Sequence, residues 1–434
     1  MEIISIVLAA GKGKRMNSSL PKPLHKVAGK SLLHWLEGAL DEALVSKRIF
    51  VLGDKSEMLK KHIKDSDYVI QEPQLGTGHA VKIAGEKISD LNSIILIAYA
   101  DTPFISPKII KKLISKIENG CKISILGFET DSPNGYGRII TNQSNQVLEI
   151  IEDRDANEEV KKIKLCNSGI LAGKAKDIFD YLDQVKLSNN GEYYLTDIVS
   201  ICSNNNKKIG FVLGSSEELI GVNDRIDLSN AEKIIQKKLK NALLNKGVTL
   251  VDPSSVYVSH NANLAKDVTI EPNVFIGPNV KINSSTLIRS FSYLENCSIG
   301  KKCNIGPFAR IRPETEIEDN VRIGNFVEVK KSRIKTNSKV NHLSYIGDAL
   351  VGHDSNVGAG TITCNYDGTN KHKTNIGNNV FIGSNSALIA PLTIKDNAII
   401  AAGSTITKDV NANSIAVERS TQKEVKRRDI KFKK

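Results

Sequence analysis

The sequence lacks most of the short signatures that would assign it a class at a glance. Its six cysteines (Cys121, Cys166, Cys202, Cys297, Cys303 and Cys364) include no C-x-x-C pair. That excludes the usual zinc and dithiol motifs, and in a 434-residue chain they read as small apolar residues of a reducing cytoplasm. No apolar run approaches the roughly 18 residues that a membrane span requires. The opening "IISIVLAAG" follows Glu2 rather than a basic segment, so it reads as a buried strand and not as a signal peptide. Acidic residues are in deficit, with a formal net charge of +12. Much of that excess is local, because seven Lys or Arg stand against two acids between Thr421 and Lys434. Phe432 is the one aromatic in that basic tail, which counts against a nucleic-acid reading. Anionic small substrates account for a basic site equally well.

What is present falls into two halves with different grammar. Up to about residue 225, short apolar runs ("IISIVLAAG", "RIFVLGD", "SIILIAYAD", "KISILGFE", "CNSGILAG") alternate with amphipathic stretches such as "SPKIIKKLISKIEN". Such alternation predicts an α/β domain, a Rossmann-like mostly parallel sheet with helices on both faces and ligands at the carboxyl ends of its strands. "RIDLSNAEKIIQKKLKNALLNKG" then reads as one connecting helix ending at Gly247. Residues 1–225, 226–247 and 248–434 are the expected domain, linker helix and second domain.

The second domain is a count of six. From Val258 to Leu294, then Ile299 to Val329, and again Ile376 to Ile406, aliphatic residues stand six apart with an occasional five-residue step. This is a hexapeptide repeat, the signature of a parallel β-helix whose coils take about 18 residues. "GAGTITCNYDGTNKHKTNIG" (358–377) breaks the count by seven residues. Stepping coil by coil from His342, and allowing for that insertion, predicts one ladder of Asn325, His342, Ala359, Ser384 and Ala402. Arg312 and Lys330, 18 apart, stack on another ladder as a cation pair that calls for an anion on an otherwise neutral wall.

In the first half, "VLAAGKGKRM" has neither the third glycine of a dinucleotide fingerprint nor the Gly-Lys-Ser/Thr of a P-loop. It remains a glycine turn able to face phosphates, with Lys12, Lys14, Arg15 and Lys22 supplying charge. Asp101 ends the strand "IAYAD", where a carboxylate suits Mg²⁺ or caps a turn.

The motifs "LAAGKGKRM…LPKPLHKVAGK", "QLGTGHA", "GYGRI", "CNSGIL", "GEYYLTDIV" and "GVNDR", followed by "GPFARIRP", "GNFVEVKKS", "NHLSYIGDA" and "GAGTITCNYDG", run nearly the whole chain. They resemble the bacterial bifunctional N-acetylglucosamine-1-phosphate uridylyltransferase and glucosamine-1-phosphate N-acetyltransferase family. That resemblance implies that Leu8, Ala9, Ala10 and Gly11 cradle UTP, that Lys22 faces its phosphates, and that Gln71, Gly76 and Thr77 read the uracil. Tyr99, Asp101, Gly137, Glu152, Asn167 and Asn223 would hold the sugar and diphosphate, with Asp101 and Asn223 binding Mg²⁺. In the second half it implies His342 as catalytic base, and Arg312, Lys330, Tyr345 and Asn356 at the sugar phosphate. Ala359, Asn365, Tyr366, Ser384, Ala402 and Arg419 would contact acetyl-CoA. A left-handed β-helix, a homotrimer and sites shared between subunits also come from the resemblance, since spacing shows none of them. One departure from the family matters: "YAD" replaces "YGD", so Ala100 carries a methyl that could crowd the ligand. The competing reading keeps the nucleotidyltransferase and makes the β-helix an oligomerisation scaffold only.

Overall fold

The computed structural model describes residues 1–53, 56–63 and 66–426; the basic run from Arg427 lies outside the described residues. The chain forms two compact units, Met1–Ile235 and Gln236–Lys434. Their boundary falls inside the connecting helix Arg225–Asn245. Asp224 Oδ1 caps the helix start by accepting from the N–H groups of Ile226 and Asp227 at 2.8 and 2.9 Å. Gly247, at φ +89°, follows its end. Among the described residues no helix is long and apolar enough to cross a membrane.

The first unit is built on nine strands: β1 (Ile3–Leu8), β2 (Lys47–Leu52), β3 (Asp67–Ile70), β4 (Ile94–Tyr99), β5 (Ile123–Glu129), β6 (Arg138–Thr141), β7 (Val147–Ile151), β8 (Leu165–Lys174) and β9 (Ile209–Gly214). The order across the sheet is β9-β5-β8-β4-β1-β2-β3. All neighbours are parallel except at β8, which runs antiparallel to β4 and β5 and carries the β6–β7 hairpin. The central strands are near-continuous Ile, Leu and Val because both faces are covered. Leu32–Glu42 and Pro107–Glu118 bury one face, with Leu33, Leu36, Ile110 and Leu113 in that core. Thr77–Ala84, Ala175–Leu182 and Asp197–Asn204 bury the other.

The second unit is a prism of three parallel sheets. Each aliphatic residue of the six-count is inward and stacks on its equivalent one coil on, as in Val258 on Ile276, Ile276 on Leu294 and Leu294 on Ile311. The helix begins earlier than the regular count, with Leu250 paired to Ile270, and closes with Ala416 paired to Ile400. Glycine follows several inward positions, and at two of them close packing between coils is the reason. Gly324 and Gly383 are not in the left-handed region; instead the next coil presses on them. A Cβ on Gly324 would lie 1.8 Å from Asn341 O, and one on Gly383 2.4 Å from Ala402 N. The left-handed corners fall to other residues, among them Asn273, Asn279, Asn337, Asn379 and Asn397, whose short polar side chains tolerate φ near +55°.

At Thr363 the inward ladder carries a hydroxyl. Its Oγ1 accepts from the Gly347 N–H at 2.8 Å and donates to Gly347 O at 3.1 Å, in a site 1% exposed. Thr363→Val preserves the shape and orphans that buried N–H. It should cost about 1–3 kcal/mol, read as a lowered denaturant midpoint with an unchanged slope.

Candidate active sites

In the first unit the parallel strands β1 and β4 end side by side, with Leu8 opposite Tyr99. The loops leaving them diverge, which opens a cleft of about 350 Å³. Ten of the fourteen nucleotide-site residues expected from sequence line it: Leu8 to Gly11, Lys22, Gln71, Gly76, Thr77, Tyr99 and Asp101. A neighbouring hollow of about 270 Å³ on the Gly11–Lys14 turn adds Lys12 and Lys14 to its wall. Gln71 is 4% exposed and donates from Nε2 to Gly76 O at 2.8 Å.

Gly76 is there because nothing larger fits. Its φ is +97°, and a Cβ would stand 2.7 Å from Tyr193 O. Tyr193 O in turn accepts from Gly78 N at 2.8 Å, fastening "GEYYL" to the start of helix Thr77–Ala84. Gly76→Ala should therefore cost about 1–3 kcal/mol of backbone strain at the cleft, read as a lowered denaturant midpoint with an unchanged slope.

Lys22 Nζ bonds the carboxylate of Asp101 and also lies 3.3 Å from Asn223 Oδ1. Arg15 donates to the same amide oxygen at 3.2 Å. Val222 N donates to Asp101 O at 2.9 Å, which brings Asn223 to Asp101 across 122 positions of sequence. Gly137, Glu152 and Asn167, with Asn223, are the four expected residues that do not line the cleft. Asn167 N donates to Gly137 O at 2.8 Å, and Thr196 holds Glu152 at 2.8 Å. Burial raises the Glu152 carboxyl, and burial beside Glu152 and Asp101 raises the Tyr99 phenol. The methyl of Ala100 does not crowd this cleft. It is 1% exposed and packs in the core with residues of Leu32–Glu42 and Pro107–Glu118. Gln74, which donates to Ala10 O at 2.8 Å, and Glu192 line the cleft without having been expected from the sequence.

In the second unit the expected ladder is formed. Asn325 pairs with His342, Val340 with Val357, Val357 with Ile382, and Ile382 with Ile400. The carbonyls of Asn325, His342, Ala359 and Ser384 each accept from the residue following the next rung, at 2.7–3.3 Å. Arg419 closes the top by donating to Ala402 O at 2.9 Å. His342 is exposed, and its Nδ1 lies 2.8 Å from Asn325 Oδ1. A carbonyl oxygen only accepts, so with this amide orientation Nδ1 carries the proton and Nε2 presents its lone pair.

Arg312 and Lys330 stack as the count required, but the wall between them is not neutral. Glu328 meets Arg312 at 2.7 Å, and Asp348 lies 3.9 Å from Lys330. Those carboxylates stabilise the pair without any bound anion, which corrects the expectation of an unopposed cation pair. Tyr345 lies in the same group, its Oη 3.5 Å from Asn365 Nδ2. Asn356 precedes Val357 on the adjacent sheet, paired with Lys339 and Phe381.

The seven-residue insertion appears as a 25-residue coil, Val357 pairing with Ile382 and Val351 with Ile376. It forms a small hairpin closed by Asp367, which accepts from Thr369 N, Asn370 N and His372 Nε2. Those bonds hold the Asp367 carboxyl well below the usual carboxylate range. The resemblance implied that Asn365 and Tyr366 meet the coenzyme along the ladder of Ala359, Ser384 and Ala402. Within one chain the hairpin springs from the other end of strand Ile362–Cys364, and Asn365 bonds Asp348 instead. Tyr366 is exposed on this hairpin, bridged to Lys371. Burial pushes the Cys364 thiol up, away from the thiolate form, so this cysteine is no activated nucleophile.

A nucleotide-type cleft on an α/β unit and a histidine ladder on a hexapeptide prism define a transferase with two sites on one chain. Residues 5–161 match the MobA-like NTP transferase domain, 293–367 the GMPPB C-terminal domain, and 373–408 the bacterial transferase hexapeptide with six repeats. The bifunctional protein GlmU of Maricaulis maris is 47% identical over 421 residues, covering 96% of this chain and 93% of its own. That of Streptococcus uberis is 44% identical over 438 residues, covering 96% of each. A solved UDP-glucose pyrophosphorylase complexed with UDP-glucose aligns with a TM-score of 0.46 and 21% identity, over 55% of this chain and 100% of that one. The chain belongs to the GlmU family of bifunctional proteins.

Proposed function

We infer that the two units carry out successive steps in making UDP-N-acetylglucosamine. The β-helix transfers acetyl from acetyl-CoA to glucosamine 1-phosphate; the α/β unit then transfers uridylyl from UTP to N-acetylglucosamine 1-phosphate and releases pyrophosphate. The observation that carries this over the scaffold reading is the 2.8 Å contact of His342 Nδ1 with Asn325 Oδ1, which leaves Nε2 of the neutral ring as the acceptor. Nε2 can take a proton from the substrate ammonium, whose nitrogen then attacks the thioester; the coenzyme leaves as a thiol. No covalent intermediate on the protein is required. Arg312 and Lys330 hold the sugar phosphate, with Tyr345 and Asn356 at its edges. The coenzyme lies along Ala359, Ser384 and Ala402 towards Arg419.

Asn365 and Tyr366 stand at the opposite end of their strand from Ala359. That separation supports a homotrimer in which a neighbouring copy brings these two residues to the ladder. In the α/β unit the attacking sugar phosphate is already an anion, so Leu8 to Gly11 and Lys22 orient phosphates, Gln71, Gly76 and Thr77 take the base, and no general base is needed. Tyr99, Gly137, Glu152 and Asn167 hold the sugar.

Asp101 and Asn223 turn hard oxygens onto one cationic group, a donor set that fits Mg²⁺ with phosphate oxygens and water completing its shell. When bound, that ion neutralises charge on the transferring phosphates. We place the enzyme in the cytoplasm, where its nucleotide and coenzyme substrates are made. The test is to supply glucosamine 1-phosphate and acetyl-CoA without UTP. Thiol should appear with no pyrophosphate, and pyrophosphate only after UTP and Mg²⁺ are added; a protein that releases pyrophosphate from supplied N-acetylglucosamine 1-phosphate but never thiol has the scaffold β-helix.

A further inference from the structure

The two oxygens assigned to the metal are held by the protein's own cations. Lys22 Nζ bonds the Asp101 carboxylate and reaches Asn223 Oδ1 at 3.3 Å, while Arg15 donates to that same oxygen at 3.2 Å. The Lys22 and Asp101 side chains are only 14% and 21% exposed, so water screens their attraction weakly. Lys22 thus occupies the Asp101 carboxylate and Arg15 the Asn223 oxygen, while Asp227 stands behind Asn223, its carboxylate accepting from Asn223 N at 2.9 Å. Among the described residues no group of three or more His, Cys, Asp or Glu could hold a metal ion.

From this we propose that Lys22, seconded by Arg15, is a built-in competitor for the metal position and makes metal binding depend on the nucleotide. A divalent cation approaching alone must displace an ammonium from Asp101 and meet a guanidinium at Asn223. A metal–nucleoside triphosphate changes both terms at once. The phosphate oxygens give Lys22 and Arg15 new anionic partners, and they complete a shell to which the protein contributes two oxygens. Lys22 thus moves from carboxylate to phosphate as the metal enters. The site stays closed to a bare ion, and the nucleotide is admitted with its cation already attached. This rests on the assignment of Asp101 and Asn223 to the metal made above.

The experiment is a Mn²⁺ titration of the full chain without nucleotide, read by the loss of the free-ion paramagnetic resonance signal. Lys22→Met keeps the length of the side chain and removes its charge. It should tighten Mn²⁺ binding at least about tenfold over wild type, the lower end of what one charge within 4–6 Å does to a neighbouring ionic equilibrium. Adding a non-hydrolysable UTP analogue should tighten Mn²⁺ binding strongly in wild type and much less in Lys22→Met. Binding by Lys22→Met that is no tighter than wild type, or undetectable in both, overturns the competitor role. Asp101→Asn in the Lys22→Met background separates the two levels. If Mn²⁺ still binds as tightly there, the metal assignment itself is wrong.

Discussion

Replacing His342 by alanine should lower acetyl transfer about 10²- to 10⁴-fold, the range a positioned general base supplies, and leave uridylyl transfer at the wild-type rate. The effect is large because the reaction begins from an ammonium, which has no lone pair to attack with. His342 is exposed at a rung of the ladder, and its Nε2 is kept free by the Nδ1–H bond to Asn325 at 2.8 Å. Asn325→Leu should therefore reproduce part of the loss, about tenfold, by releasing the tautomer rather than removing the base. The fold should survive both changes, since neither side chain belongs to the buried core of the prism. Thiol release under saturating substrates, with denaturation midpoints for each variant, checks all three statements.

The complementary loss belongs to Asp101. Asp101→Ala should lower pyrophosphate release about 10²- to 10³-fold, comparable to deleting one preorganised electrostatic group from a transition-state site, with thiol release unchanged. The loss comes from the carboxylate oxygen assigned to the metal, because Lys22, its partner here, turns to the phosphates once the metal–nucleotide is bound. Asp101→Asn separates charge from shape, and a loss of similar size would show that charge is what matters.

Much of this molecule was legible because its periods leave little freedom. A six-residue count fixes which side chains point inward, and the stacking of Asn325, His342, Ala359, Ser384 and Ala402 follows by addition. The seven-residue surplus was equally plain, since the same 25-residue step appears in all three sheets. The count could not say at which corner the surplus is extruded. It emerges after Cys364, so Asn365 meets Asp348 and not the His342 rung.

The outward charges were harder. Glu328 stands directly above Arg310 in register, and Asp348 occupies a left-handed corner. Both oppose the cation pair from ladders that a single-column reading does not visit. In the α/β unit the strand ends could be read, but pairings across long separations could not. Lys22 with Asp101, Arg15 with Asn223 and Gln74 with Ala10 depend on loop paths that no local pattern sets. Ala100 shows the same limit from the other side. Its methyl reads as a threat to the ligand until the strand's facing is known, and it then proves to be core.

The most direct test of two independent sites on one chain is a crossed assay of His342→Ala and Asp101→Ala, each with acetyl-CoA, glucosamine 1-phosphate, N-acetylglucosamine 1-phosphate, UTP and Mg²⁺, following thiol and pyrophosphate separately. Each variant should lose one product and keep the other at the wild-type rate. If both variants, shown to be folded, lose both products to the same degree, the two-site account is contradicted.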